Sequence, residues 1–492
     1  MASQIPLALP KTMLPSPEGA LSPGVSSQWV RILPNNVSQV VSAESVAIVQ
    51  TDQAVTPIVL GSQPIQFEIP TGQPLTFCDV AKSTISFRAR YEISTASTAN
   101  YGGVKAFLQS SAHSYFQRIA TYVAGNLVDD CVGLDVAMAE ETAYGFNVAD
   151  RDVNWNQGFL AEQPSANALN SLQGHSIVTW TDATAMALGS EYMSYELPLM
   201  SSLFGKNAKS MCPVHKLGKS QIVLTTPQTA PVLVYNSTAN TGASVKLKIT
   251  LDQFAINLFY VTLDDRSASL LGGLGGETYM HSITHRVGSG SINSATSGAV
   301  SVQVPIRVKS ARALSTRFNE NVLSTAGSLN SQFDSKMPVA SSINYFIASK
   351  QRIPPNPHNL TIAPAVAFSR SLMANFADSY EPWKARSGLV PNTYLKYTAL
   401  GSAIAGADSY DYRLITAGSA TTFNTLANFS FCEDLRVTSS STFLAGQDLT
   451  MSNSFLELNL AKANSNALNV TFIAKADIIY VIMPDGSVEY RV

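Results

Sequence analysis

The chain has 492 residues, of which 45% are hydrophobic and only 13% are charged, whereas a soluble domain typically carries about 25% charged residues. A globally disordered chain is excluded, because disorder requires few apolar residues and a high net charge. With 32 Lys and Arg against 34 Asp and Glu, the chain has no basic field that could hold nucleic acid by counterion release. Such sparse charge indicates a surface that is covered by small polar groups or by other protein.

The first 40 residues predict an extended, proline-rich arm, because each proline fixes φ and lacks a backbone donor. The apolar run at 5–9 is interrupted by Pro6 and has no basic residues before it, so it does not fit a signal peptide. We therefore expect synthesis in the cytosol without secretion. The prolines that define the arm are Pro6, Pro10, Pro15, Pro17, Pro23 and Pro34.

Alternation of apolar and polar residues dominates the rest of the chain, and this period of two is typical of strands with one buried face. The short apolar run at 478–483 fits a fully buried strand and is far below the 18 or more residues of a transmembrane helix. The alternating segments are 85–93, 245–251, 300–308 and 456–460.

Helical periodicity is confined to three places. An apolar stripe at 114–128 predicts a helix, and 134–144 predicts a second one after it. Pro364 suits the first position of a third helix, whose apolar stripe falls within 368–376. Strands with a few inserted helices indicate an all-β fold rather than an α/β fold.

The glycine-rich sequence LLGGLGG at 270–276 predicts a linker between two halves of similar length. We predict two consecutive jelly-roll β-sandwiches, a double jelly roll. The predicted division is an arm at 1–40, a first jelly roll at 41–268, a linker at 269–290 and a second jelly roll at 291–492.

Two glycine-containing motifs resemble nucleotide-binding loops. Gly218-Lys219-Ser220 lacks the glycine that a phosphate-binding loop needs five residues earlier, where Pro213 stands. The glycines at 272–276 fail the dinucleotide fingerprint, because Thr278 occupies its last glycine position. A turn into a strand and a linker are the better interpretations.

Three patterns resemble metal sites, and none is complete. Cys212 and His215 have the spacing of half a zinc site, but no second pair follows. Glu277, His281 and His285 are four residues apart, which brings ligands together on a helix, but the surrounding residues favour strand.

The segment 150–161 resembles a calcium loop, but Trp155 replaces its turn glycine and Ala161 its bidentate glutamate. No hydrolase signature such as G-x-S-x-G or HExxH is present. We therefore predict no catalytic, cofactor-binding or metal-binding residues and no enzyme activity.

Four widely separated cysteines match neither a disulfide scaffold nor a metal motif, so we predict free thiols. They are Cys78, Cys131, Cys212 and Cys432.

The order of several segments carries a family resemblance. In the first half these are FEIPTG at 67–72, KSTISFRARYEI at 82–93 and SYFQRIATYVAGNLVDD at 114–130, with LDQFAINLFYVTLDD at 251–265 and YMHSITHRVGSG at 279–290 at the join. The second half has VSVQVPIRVKSARALSTRF at 300–318, INYFIASKQRIPPNP at 343–357, FSRSLMANF at 368–376, AGQDLTMSNSFLELNLAK at 445–462 and DIIYVIMPDGSVEYRV at 477–492. The chain resembles the double jelly-roll major capsid proteins of tailless icosahedral double-stranded DNA viruses, and most of all the compact members from polinton-like viruses and virophages.

This resemblance implies a structural subunit of the virion that forms homotrimeric, pseudo-hexameric capsomers. It implies contacts with neighbouring capsomers, penton proteins and minor capsid proteins, no sequence-specific nucleic-acid binding and no cofactor, and it leaves an internal membrane undecided. Two alternatives stay open. One is a β-sandwich adhesin or carbohydrate-binding protein, and the other is a jelly-roll glycoside hydrolase, which needs two carboxylates in one cleft; Glu140 and Glu141 are adjacent on a helix and point in different directions.

Overall fold

The structure is a computed structural model. It describes residues 25–43, 45–47, 58–95, 104–108, 112–145, 176–180, 190–208, 210–236, 245–264, 276–320, 340–348, 351–359, 430–436, 446–450, 453–460 and 467–491. Below, the first half is the described part up to residue 264 and the second half is the described part from residue 276.

The first half contains fourteen described strands and one α-helix, α1 (Leu134–Gly145). The strands are β1 (Ser26–Ile32), β2 (Gln39–Val41), β3 (Ser45–Ala47), β4 (Pro64–Ile69), β5 (Thr76–Cys78), β6 (Thr84–Thr95), β7 (Val104–Leu108), β8 (Arg118–Val123), β9 (Asn126–Val132), β10 (Ser176–Trp180), β11 (Ser190–Pro198), β12 (Ser220–Thr225), β13 (Val232–Asn236) and β14 (Val245–Thr262).

Two antiparallel sheets of the first half form a sandwich. One has the order β1-β14-β6-β11, with β2, β3 and β5 also paired to β14, and the other has the order β4-β12-β8-β9. A separate sheet, β10-β7-β13, comes from insertions between these strands. The eight strands on the main paths of these two sheets are, in chain order, β1, β4, β6, β8, β9, β11, β12 and β14. Numbered 1 to 8 in this order, they give the sheet orders 1-8-3-6 and 2-7-4-5.

The second half repeats this order. Its sheets are β15-β22-β17-β20, with β23 beside β22, and β16-β21-β18-β19, again 1-8-3-6 and 2-7-4-5. The strands are β15 (Thr278–Ile292), β16 (Gly298–Gln303), β17 (Ala311–Glu320), β18 (Ala340–Ile347), β19 (Gln351–Asn359), β20 (Ser430–Asp434), β21 (Phe455–Leu460), β22 (Leu468–Ile482) and β23 (Val488–Arg491).

Eight antiparallel strands in two Greek keys define a jelly roll, so each half is a jelly roll and the predicted double jelly roll is confirmed. Alternation builds both cores. In β6, Ile85, Phe87, Ala89 and Tyr91 are buried on one face, while the residues that alternate with them lie on the opposite face.

The predicted helix at 114–128 is wrong. The structure has a 3-10 turn at Ala112–Tyr115 and then the hairpin of β8 and β9. Ala124 and Gly125 join the two strands with φ of 50° and 81°, and two consecutive residues with positive φ match a type I′ hairpin turn. The apolar residues fit a helical stripe by spacing, but in the sheet Ile119, Ala120 and Val123 are buried on both faces of β8, whereas Leu127 lies on β9 and is exposed.

The predicted helix at 134–144 is confirmed as α1. The predicted helix at 368–376 and the glycine-rich residues 270–275 lie outside the described residues. No helix in the part of the chain that the structure describes is long and apolar enough to cross a membrane.

Two predicted boundaries need correction. Within the predicted arm, Ser26–Ile32 is β1, because all seven of its residues pair with β14. Within the predicted linker, 278–290 belongs to β15, which pairs with the buried strand β22 along its whole length. The rest of the predicted division stays a prediction.

The two halves share a hydrophobic core. Ile473, Ile478 and Tyr480 of the second half pack in the same cluster as Phe87 and Phe254 of the first half. A second cluster lies inside the second sandwich alone. The described parts of the two halves therefore meet through a packed boundary.

Candidate functional site

The histidines of the possible metal pattern lie on a strand. His281 and His285 are buried in β15, and His281 Nε2 lies 2.7 Å from Asp477 Oδ1. Burial acts to raise the pKa of the Asp477 carboxyl, but hydrogen bonds from His281 and Ser310 and the charge of Arg312 hold it below its ordinary value. Within the described ranges, no three His, Cys, Asp or Glu side chains are grouped to hold a metal ion.

Cys212 and His215 also have structural partners. Cys212 is buried and faces Cys78 across an isolated β-bridge, in which each backbone N–H donates to the other residue's carbonyl at 2.7 and 3.0 Å. His215 Nδ1 lies 3.0 Å from the carbonyl oxygen of Thr76. Burial lowers the pKa of His215, whose ring packs edge-on against Phe77, and Cys212 belongs to the main hydrophobic core.

The Gly218-Lys219-Ser220 motif leads into β12, as its interpretation as a turn predicts. The Gly218 backbone N–H donates to the carbonyl of Gly486 in the second half at 2.9 Å, and Lys219 Nζ lies 3.1 Å from Glu68 Oε1. The calcium-like segment 150–161 lies outside the described residues.

A buried polar network crosses the boundary between the halves. Asp129 on β9 accepts hydrogen bonds from Thr284 Oγ1 and Arg286 Nη2 of β15, each at 3.0 Å. Its other carboxylate oxygen accepts from Ser202, whose hydroxyl also contacts the hydroxyl of Tyr480 on β22. Because donors from both halves converge on the one carboxylate of Asp129, the network ties β9 of the first half to β15 of the second half.

A buried ion pair makes a second polar contact across the boundary. Glu140 on α1 lies 3.3 Å from Arg317 on β17, and their side chains are 2% and 3% exposed. Of the carboxylate pair considered in the sequence, Glu140 is thus buried in an ion pair with Arg317. The side chain of Glu141 lies outside the described residues.

The contact by α1 lies on one face of a sheet of the second half, which we call the outer face of the second-half sheet. It is the face of β15-β22-β17-β20 that points away from the second core. Several of its side chains are buried although they are polar or charged, whereas Ser289, Ser291 and Asn469 on the same face are exposed. The buried side chains include His285, Ile473, Lys475, Ser315, Arg317 and Cys432.

On the corresponding outer face of the first-half sheet, on β1-β14-β6-β11, the described residues include several that are exposed or partly exposed. Arg88 and Asp252 form a two-bond pair at 2.8 and 2.7 Å on it, with side chains 28% and 19% exposed. Ser194 and Glu196 of β11 are exposed. The two halves therefore share a topology but differ in the exposure of the described residues on equivalent faces.

An aromatic patch extends this open face to the sheet edge. Trp29 on β1 is 58% exposed and packs edge-on against Phe259, with ring centroids 5.1 Å apart. Lys82 Nζ lies 3.7 Å from the Phe259 ring centroid, within the range of a cation–π contact. The patch continues into a small buried cluster that contains Phe77 and Val261.

Comparison with known proteins shows the fold. No protein-family model and no curated protein sequence matches the chain. A chain in the cryo-EM structure of the Sputnik virophage is similar in structure, with 11% identity, a TM-score of 0.51 and coverage of 94% of this chain and 90% of that chain. The protein is thus a double jelly-roll protein, and it shares this fold with the Sputnik chain.

Two further similar structures are major capsid proteins. The Faustovirus protein has 10% identity, a TM-score of 0.48 and coverage of 93% of this chain and 90% of its own. The mavirus protein has 9% identity, a TM-score of 0.45 and coverage of 92% and 90%.

Proposed function

We propose that the protein is the major capsid protein of an icosahedral double-stranded DNA virus, and that three copies form one pseudo-hexagonal capsomer. The observation that carries the proposal is the strand order 1-8-3-6 and 2-7-4-5, which occurs once in each half. Three copies of a chain with two similar sandwiches offer six similar walls around a three-fold axis. Such a tile suits positions with six neighbours, and closed cyclic symmetry ends its growth.

Several observations support this function. The chain shares its fold with a chain of the Sputnik virophage. Its 13% content of charged residues suits large protein-protein interfaces, whose cores are poor in Lys, Glu and Asp. In this function the protein is located in the virion, contacts neighbouring capsomers and penton and minor capsid proteins, and catalyses no reaction.

The deciding experiment is the solution mass of the purified full chain, measured by light scattering and followed by negative-stain imaging. We expect a mass of three times 52.6 kDa and hexagonal particles. Interfaces of obligate complexes commonly bury more than about 2,000 Å² in total, so the trimer should survive dilution. A monodisperse monomer at micromolar concentration would contradict the proposal and favour a β-sandwich adhesin, whose glycan could stack on Trp29.

We also propose that residues 1–24 are an interaction arm beneath the shell. They contain five prolines, and a proline-rich extended segment docks at a low cost in conformational entropy. Deleting 1–24 spares β1, which begins at Ser26. We expect soluble capsomers that assemble poorly, and normal shells from the truncated chain would contradict this role.

A further inference from the structure

Two of the four cysteines face each other across an isolated β-bridge. The N–H of Cys78 donates to the carbonyl of Cys212 at 2.7 Å, and the N–H of Cys212 donates to the carbonyl of Cys78 at 3.0 Å. Residues that exchange both hydrogen bonds in this way have Cα atoms about 5.5 Å apart, and disulfides join Cα atoms that are about 4.4–6.8 Å apart. The backbone therefore holds the two thiols at a separation that one disulfide can span.

The other two cysteines have different residues opposite them. Cys131 on β9 lies opposite Ile119 of β8, and Cys432 on β20 lies opposite Ser315 of β17. All four thiols are buried, so burial does not distinguish Cys78 and Cys212 from the others. Their position opposite each other does, and the other two cysteines supply matched controls within the same chain.

Cys212 belongs to a segment that contacts the second half. This segment joins β11 to β12, and we call its described residues, 199–208 and 210–218, the boundary segment. Before Cys212, the carbonyl of Asn207 accepts the N–H of Ile283 on β15 at 3.0 Å. After it, Lys216 Nζ donates to Thr278 Oγ1 at 2.9 Å. The boundary segment therefore contacts β15 on both sides of Cys212.

Cys78 belongs to the first-half sheet. It ends β5 and lies opposite Tyr260 of the interior strand β14, and its side chain is part of the main hydrophobic core. A covalent bond between Cys78 and Cys212 would attach the boundary segment to this sheet. Because the boundary segment also contacts β15, the bond would oppose separation of the two halves.

We propose that Cys78 and Cys212 form a reversible disulfide bond, which fastens the boundary segment to the first-half sheet in oxidising surroundings and opens in reducing ones. One cysteine thiolate attacks a sulfur of a small-molecule disulfide such as oxidised glutathione, whose S–S bond breaks so that one glutathione leaves as a thiol. The other cysteine then attacks the protein sulfur of this mixed disulfide and releases the second glutathione. Two protons and two electrons pass from the protein to the glutathione disulfide, which becomes two thiols.

The surroundings of the pair predict a bond that forms slowly and is easily reduced. Both thiols are buried, so the exchange requires the boundary segment to separate from β5 by local opening, which breaks two backbone hydrogen bonds. Hydrogen-bonded partners have Cα atoms about 5.5 Å apart, against about 4.5 Å for the other pairs of an antiparallel ladder, whereas a disulfide brings its Cβ atoms to about 3.5–4.5 Å. The bond is therefore strained, and strained disulfides are reduced more readily.

Such a bond has a use in a virion. Thiols stay reduced in the cytosol, and disulfides persist in extracellular surroundings. A capsid protein would assemble with free thiols, gain the bond after release and lose it in the cytosol of the next cell. This use rests on the proposed function, whereas the disulfide chemistry does not.

The test treats the full chain, purified in its reduced form, with excess oxidised glutathione a few degrees below the unfolding temperature, where local opening is frequent. We expect the thiol count after denaturation to fall from four to two, the mass to fall by about 2 Da and peptide mapping to join Cys78 to Cys212. The unfolding temperature should rise by about 4 °C or more, because the bond closes a long loop of the unfolded chain. Dithiothreitol should reverse this rise.

Cys78→Ser and Cys131→Ser are the matched variants. Oxidation should form no internal disulfide in Cys78→Ser, whereas Cys131→Ser should form the bond and gain the same stability as the wild type. Cys212→Ser replaces Cys78→Ser if that variant does not fold. Four thiols in the oxidised wild type, glutathione adducts without an internal bond, or a disulfide between other cysteines would each overturn the proposal.

These outcomes are independent of the solution mass that tests the capsomer. A monomeric chain that forms the bond between Cys78 and Cys212 contradicts the proposed function and keeps the disulfide. A trimer whose four thiols survive oxidation contradicts the disulfide and keeps the proposed function.

Discussion

The guanidinium of Arg317 and the carboxylate of Glu140 lie 3.3 Å apart across the boundary between the two jelly rolls, and both side chains are almost fully buried. Removing one partner of a buried ion pair typically costs about 3–5 kcal/mol, because a charge stays behind in a medium of low dielectric constant. A pair of this kind places a strong constraint on how the halves pack.

We therefore expect Glu140→Ala to lower the unfolding temperature by about 6 °C or more, since each kcal/mol corresponds to about 2–4 °C in a unit of this size. Replacing both residues, as Glu140→Leu with Arg317→Met, should restore most of the loss, because apolar replacement of a whole buried pair is often neutral. Thermal unfolding followed by circular dichroism measures both. Equal losses in the single and double variants would show that the pair is not the cause.

Two neighbouring carboxylates on β9 give a second, matched prediction. Asp129 is 4% exposed and binds Arg286 across the boundary, whereas Asp130 is 29% exposed and binds Arg118 within its own hairpin. Asp129→Asn should cost about 2–3 kcal/mol, because a buried hydrogen bond to a charged group is lost. Asp130→Asn should cost about 0.2–1 kcal/mol, as expected for exposed pairs.

Denaturant unfolding of the two variants under identical conditions measures this difference. Limited proteolysis adds a specific readout, because a weakened boundary should expose cleavage sites between the halves in Asp129→Asn alone. Equal effects of the two substitutions would contradict a role of Asp129 in holding the halves together.

The sequence predicts the strands well, because the alternation of apolar and polar residues is a local pattern and one face of each strand packs on the core of the sandwich. It predicts the hairpin of β8 and β9 badly, because the apolar spacing fits a helix and only the Ala124-Gly125 turn decides for strands. The sequence does not predict the contacts across the boundary between the two halves. Asp129 and Arg286 are 157 residues apart, and they meet only because two complete sandwiches pack together.

The buried Asp135 predicts a pH dependence. Burial raises the pKa of its carboxyl from 3.8 to about 7, although a hydrogen bond from the Val136 backbone N–H favours the charged form. Between these values the folded state keeps a proton that the unfolded chain has released, so the free energy of unfolding falls as the pH rises toward 7. Asp135→Asn should therefore be more stable than the wild type at pH 8, by up to about 4 kcal/mol, and equal to it near pH 3.

His113 contributes the opposite slope. Burial lowers its pKa from 6.5 to about 4, so its contribution to stability is lost as the pH falls through that range. Because both proteins contain His113, its contribution is removed when the free energy of unfolding of the wild type is subtracted from that of Asp135→Asn. Unfolding temperatures at several pH values measure the difference, and a constant difference from pH 4 to pH 8 would contradict the assignment to Asp135.

The four cysteines provide the last prediction. All four are buried without a disulfide, and burial raises the pKa of Cys78 to about 12 and that of Cys212 well above its ordinary value. Since the thiolate is the reactive form, we expect no rapid reaction with a thiol reagent in the native protein and four reactive thiols after denaturation without reductant.

Cys78 and Cys212 allow a stricter test of this prediction. Residues that exchange both backbone hydrogen bonds have Cα atoms about 5.5 Å apart, which is within the range of a disulfide. A result of two thiols would therefore identify this pair as oxidised, and Cys78→Ser would then raise the thiol count from two to three. If all four thiols are free, Cys78→Ser and Cys131→Ser should each lower the count from four to three.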